Sequence, residues 1–188
     1  MKVLKFTVIV TVLIMLISCS GRISKEPANA QGFEAIEKEI KSKFGENAYF
    51  TKLNIIYNES LGNSIGVTVT EAPESLKMGE WLLSQDSWRQ TSEITLEVPD
   101  GSKAADFMFQ LNEKISLSKL GELVEKSSVQ LKTEKSIKNP VLHIAFIKFP
   151  ENGDITKAEY VVMLKPESGG TTFTFNYKLD GNLIEMDY

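Results

Sequence analysis

Near its start the chain carries an apolar stretch, Phe6 to Ile17, broken only by Thr7 and Thr11 and preceded by Lys2 and Lys5. A basic start, roughly 7–15 apolar residues and a small-residue exit mark a secretory signal peptide, whereas a spanning helix needs about 20 apolar residues. The pattern predicts an exported chain that loses residues 1–18 and does not cross the bilayer as a mature protein. Residues 20–31 (SGRISKEPANAQ) then show no periodicity. Their mixture of Pro, Gly, Ser and charge predicts a flexible tether over 19–31 that holds the folded part clear of a membrane.

After Gly32 the spacing turns helical. Phe33, Ile36, Ile40 and Phe44 recur between Glu34, Glu37, Lys38 and Lys41, and Gly45 supplies a stop. Alternation of period two follows, first in Leu53, Ile55 and Tyr57. It resumes beyond a turn at Leu61-Gly62-Asn63 in Ile65, Val67 and Val69. Residues 75–84 fit a short helix and a strand equally well. From Trp88 the alternation continues through Ile94, Leu96 and Val98, and Pro99-Asp100-Gly101 predicts a hairpin into Phe107, Phe109 and Leu111.

A second amphipathic helix fits 117–131. Leu117, Leu120, Val124 and Leu131 form its stripe, and Ser116 or Ser118 is its cap. Beyond Asn139-Pro140, Leu142, Ile144 and Phe146 alternate with Ala145, Ile147 and Phe149, which predicts a strand buried on both faces. Tyr160, Val162 and Leu164 continue the sheet, as do Phe173, Phe175 and Tyr177. A turn at Leu179-Asp180-Gly181-Asn182 leads into Ile184, Met186 and Tyr188.

Helix, strands, helix, strands, with hairpins joining neighbours, predicts an α+β fold: a helix plus an antiparallel meander sheet, present twice. The two units are expected over 32–112 and 113–188, either as separate units or as one continuous domain. Lys52–Tyr57 (KLNIIY) and Val141–Phe146 (VLHIAF) share a pattern, so the halves could be a diverged repeat.

Charge narrows the partners. Loss of residues 1–18, with Lys2 and Lys5, takes 21 basic residues to 19 against 25 acidic ones, a formal charge of −6. A nucleic-acid binder would show a basic stripe, and adsorption to anionic lipid by charge alone would need the opposite sign. Cys19 is the only cysteine, so no intramolecular disulfide can form and stability must come from an apolar core.

Leu16-Ile17-Ser18-Cys19, directly after the apolar run, resembles the lipobox of bacterial lipoproteins. The resemblance implies cleavage between Ser18 and Cys19, lipid on the Cys19 thiol and a membrane anchor. One acyl chain holds a protein only marginally, and the diacylated or triacylated cysteine that the resemblance implies meets the requirement for two. Ser20 stands where the inner-membrane retention signal of enteric bacteria carries Asp, which implies the outer membrane if the source has two membranes. The helix-then-meander order and the closing hairpin at Leu179–Ile184 are similar to tandem PepSY-like periplasmic proteins of the β-lactamase-inhibitor-protein-like fold. That likeness implies a binding or inhibitory module, although a fold alone does not establish function.

No catalytic constellation is visible. His143 is the single histidine and shares strand parity with Ala145 and Ile147, which predicts a packed or edge-facing side chain. No G-x-S-x-G elbow accompanies it, and a zinc site needs clusters of His and Cys. No calcium loop of the D-x-D-x-D-G kind occurs, and Gly169-Gly170 lacks the Lys-Ser/Thr of a phosphate loop. Glu34, Glu37 and Glu39 fall on the polar side of the first helix, and Glu185 and Asp187 on the solvent side of the last strand. Lys132, Lys135 and Lys138, with Glu134 among them, read as a solvated loop. Trp81 and Trp88 are the candidate partner-binding residues, with packing in the core as the competing role.

The sequence therefore predicts a non-catalytic lipid-anchored envelope protein with no cofactor and no metal. Its partners would be the membrane, through Cys19, and another envelope component, through the sheet face or the 75–90 segment. The alternative is a lipid-tethered hydrolase that uses carboxylates.

Overall fold

The computed structural model describes residues 22–188; Ser18, Cys19 and the rest of the signal and lipobox lie outside the described residues. The described chain is α+β, as expected. Helix α1 (Ala30–Phe44) is followed by strands β1 (Tyr49–Asn58), β2 (Gly62–Thr70), β3 (Lys77–Ser84) and β4 (Ser87–Thr95). Helix α2 (Leu117–Glu134) is followed by β5 (Pro140–Lys148), β6 (Glu159–Pro166), β7 (Phe173–Lys178) and β8 (Leu183–Asp187). All eight strands form one antiparallel sheet in the order β4-β3-β2-β1-β5-β6-β7-β8. Each helix thus precedes a four-stranded meander, and the first strands of the two meanders, β1 and β5, pair at the centre.

Both helices pack on one side of this sheet. Phe33, Ile36 and Ile40 from α1 and Leu117, Leu120 and Val124 from α2 share one core with Leu53, Ile55, Ile65, Ala145, Tyr160, Phe175 and Tyr177. The helix stripes and the alternating strand residues named by the sequence meet there because each element has one apolar side and buries it against the other. Glu37 of α1 accepts the backbone N–H of Leu117, the first residue of α2, at 2.7 Å. Glu125 of α2 accepts that of Ala30, the first residue of α1, at 3.3 Å.

Several expectations are corrected. Residues 75–84 resolve into a short 3-10 turn, Pro73–Ser75, and strand β3. Pro99-Asp100-Gly101 makes a turn but no hairpin. The chain beyond it forms a 3-10 turn at Ala104–Phe107, and Phe109 makes a single bridge to Phe50 of β1. Met78 meets Ala104 and Met108 there in a second small core. β4 is a sheet edge, so the chain has to travel back across the sheet to reach α2, and those apolar residues serve the crossing.

On β5 the register slips at His143, which is the extra residue of a bulge. A bulge reverses strand parity. Leu142 therefore joins Ala145 and Ile147 on the helix side, while Ile144 and Phe146 face away. A similar slip at Ile184 leaves that side chain 45% exposed.

The largest correction is the tether. From Arg22 onward the segment is a strap built into the fold. Ile23–Lys25 form a 3-10 turn, and Asn29 is the N-cap of α1 through the Gly32 N–H, at 2.9 Å. The buried Asn63 amide donates to the carbonyls of Glu26 (2.7 Å) and Ile23 (3.4 Å), and Asp86 accepts the Ser24 N–H at 2.8 Å. Gly62, at φ +77°, lies directly under the strap, where a Cβ would enter the space of the Ser24 carbonyl. Gly121 of α2 makes the same room for the Asn29 carbonyl. The strap is polar because its bonds are polar, and polar composition alone does not separate a bonded strap from a free linker.

Candidate functional site

Among the described residues, the side of the sheet opposite the helices is covered at one end, where the segment from Leu96 to Met108 folds over Met78. Register places Leu82, Gly66, Asn54, Phe146, Val161, Asn176 and Glu185 in one row across β3, β2, β1, β5, β6, β7 and β8. The neighbouring row holds Ser64, Ile56, Ile144, Met163, Thr174 and Asp187. Ile56, Ile144, Phe146 and Met163 thus form an apolar centre at the β1–β5–β6 junction, and Ile56 is 40% exposed. Polar side chains frame this centre. Asn54 lies over Gly66, and Asn176 donates to the Glu185 carboxylate at 2.9 Å. The bulge at His143 is what turns Ile144 and Phe146 to this side. A flat apolar centre inside a polar rim matches the anatomy of a binding surface.

A cleft of about 530 Å³ lies on the helix side, at the sheet end where the strap enters. Pro27 and Ala28 of the strap form one wall, Val124, Ser128 and Val129 of α2 another, and Tyr57, Leu142 and Leu164 the floor. α1 begins only at Ala30 and so leaves this end of β1 uncovered. Lys25 and Lys132 stand at the cleft, as do Glu26 and Glu125.

Trp81 and Trp88 do not stand on the open face. Both pack against Phe44 of α1, edge-on, at 5.5 and 5.0 Å between ring centres. The Trp88 indole N–H donates to Glu39 at 3.0 Å, and the Lys43 ammonium sits 4.9 Å from the Trp81 ring. They hold α1 onto β3 and β4. His143 is half-buried at its bulge on β5.

Several carboxylates serve as caps and pair partners. Glu37 holds the α2 start and the Lys41 ammonium (2.7 Å), Glu80 accepts from Ser92, and the Thr156 hydroxyl and N–H hold the Asp154 carboxyl below its usual range. No group of three or more His, Cys, Asp or Glu side chains suited to a metal stands together among the described residues. No helix among them is long and apolar enough to cross a membrane.

Two buried phenols fix α2. Tyr160 accepts the Ser116 N–H at 2.9 Å, and burial pushes its hydroxyl up to about 12. Tyr177 shares a 2.8 Å hydrogen bond with the buried Ser127 hydroxyl, and its pKa is likewise raised by burial. Both hydroxyls are used within the fold, to hold the start and the middle of α2.

No protein-family model and no curated protein matches the chain. Among solved structures it is similar to the crystal structure of a "putative lipoprotein" from Clostridium difficile 630. The identity is 9%, the match covers 81% of this chain and 90% of that chain, and the TM-score is 0.49.

Proposed function

We propose that this chain is a lipid-anchored protein of the bacterial cell envelope that binds another envelope component, without catalysis, across the open face of its sheet. The observation that carries the reading is the apolar centre of Ile56, Ile144, Phe146 and Met163, framed by Asn54, Asn176 and Glu185, on a sheet side that the described residues cover at one end only. The lipobox at Leu16-Ile17-Ser18-Cys19 supports the anchor, and Ser20 favours the outer membrane where there are two membranes. The carboxylates favour binding over hydrolysis, since Glu37, Glu39, Glu80, Glu125 and Glu185 each already accept a hydrogen bond from the fold.

The test is photo-crosslinking in intact cells from a benzophenone amino acid at Ile144, compared with one at the exposed Lys38 on α1. Adducts to a protein or glycan from position 144 alone are expected. Silence at both positions would count against the sheet face. Incorporation of a palmitate analogue with and without Cys19→Ala tests the anchor separately, and unchanged labelling in the variant would refute it.

A further inference from the structure

We infer that the cleft beside α2 binds a phospholipid of the leaflet that anchors the chain, with an acyl chain in the cleft and the phosphate at Lys25 and Lys132. This rests on the lipid-anchor reading above. If residues 19–31 were a free tether, the folded part could stand tens of ångströms from the bilayer. Arg22, only three residues after Cys19, already stands at the start of the strap's 3-10 turn. Three extended residues span at most about 10 Å, whatever their conformation. The strap is held to β2 by Asn63 and to the β3–β4 turn by Asp86, so this end of the sheet must lie at headgroup level.

The cleft is at that same end. Tyr57, Val124, Val129, Leu142 and Leu164 give its lining an apolar part, beside Ser128 and the charged groups at its edge, and Val129 is 58% exposed at its mouth. Its volume lies within the range of about 300–1,000 Å³ usual for small-molecule sites. Lys25 and Lys132 are exposed and make no ion pair among the described residues, although the mature chain is acidic overall. Of the two carboxylates beside them, Glu125 is committed to the Ala30 N–H and Glu26 lies on the strap. The adjoining groove, with Tyr57 and Val141, adds one further cation, Lys165, and one further carboxylate, Glu59. Anionic headgroups attract such lysines over about a Debye length, a distance the three-residue connection does not exceed.

The experiment uses the mature lipidated protein in phosphatidylcholine vesicles that contain phosphatidylglycerol with brominated acyl chains. With Cys19 acylated, Val129→Cys offers one reactive thiol for an environment-sensitive dye at the cleft mouth, and Ser102→Cys does so at the far end of the sheet. Bromine quenching at 129 and none at 102 is expected, with quenching at 129 lost when Lys25→Glu and Lys132→Glu are added. Flotation with vesicles without quenching at 129, or equal quenching at both sites, would overturn the cleft and leave the anchor standing. Failure of the protein to float would overturn the anchor and the cleft with it.

Discussion

Helices α1 and α2 begin alike and are held in place by different means. Each has a polar cap, Asn29 to the Gly32 N–H and Ser116 to the Lys119 N–H, and each receives a carboxylate from the other helix at its first residue. The carboxylate at α2 is the stronger partner. Glu37 lies 2.7 Å from the Leu117 N–H and is only 13% exposed, whereas Glu125 reaches Ala30 at 3.3 Å on the surface. The start of α2 also rests on the Tyr160 hydroxyl and its middle on Tyr177 through Ser127. Among the described residues, no such phenol bonds α1. The strap seats its start against Gly121, and Trp81 and Trp88 clamp its end at Phe44. The same helix-plus-meander order can therefore be secured by buried polar bonds in one half and by close backbone approach and aromatic contacts in the other.

The largest effect should come from closing the gap between the two helices. Gly121→Val drives a side chain into the Asn29 carbonyl, where neither backbone can yield without shifting the helix. A loss of about 3 kcal/mol in urea unfolding is expected, at the upper end of the usual overpacking cost. Wild-type stability would show that the strap does not sit on α2.

The exchanged carboxylates give the next test. Glu37→Ala leaves the Leu117 N–H without its partner and frees Lys41, so a cost of about 2 kcal/mol is expected. Glu125→Ala should cost only about 0.5 kcal/mol, because its bond is long and solvated. Equal losses from the two substitutions would dissolve the asymmetry.

Between these falls Tyr160→Phe, with an expected loss of about 1 kcal/mol at neutral pH, read from the same denaturation curves. Its pH dependence is more telling than its size. The hydroxyl titrates at about 12 when folded, against an ordinary value near 10, so the folded state holds the proton more tightly. The stability this contributes is complete below pH 10 and is lost as pH rises toward 12. Tyr160→Phe should flatten the fall in stability over that window; an unchanged alkaline slope would show that Tyr160 is not the group responsible.

Much of the fold was legible in the sequence. The stripe Phe33, Ile36, Ile40 and Phe44 and the alternation of Phe173, Phe175 and Tyr177 each admit one buried side, and the structure buries that side. Gly45 stops α1 and Ser116 caps α2, as local backbone chemistry requires. The misreadings cluster where a residue's partner is distant in the chain. Nothing near Glu37 signals Leu117, which is 80 positions away, and nothing near Asn63 signals the strap. The bulge at His143 is a difference of one residue between two strands, invisible until both are aligned. That bulge decides which side Ile144 and Phe146 face, so the open apolar centre could not be read from β5 alone.

By itself the sequence determined the α+β class, the helix-then-meander order, the side of most elements that is buried and the lipobox-like motif at Cys19. These depend on the spacing of apolar and polar residues within one element, or on a short contiguous motif. Tertiary structure alone decided that the polar segment from Arg22 is a bonded strap, that the tryptophans serve α1, and that a cleft and an open apolar face occupy opposite sides of one sheet. Those outcomes depend on hydrogen-bond partners and strand registers supplied by remote parts of the chain, and local spacing carries no record of them.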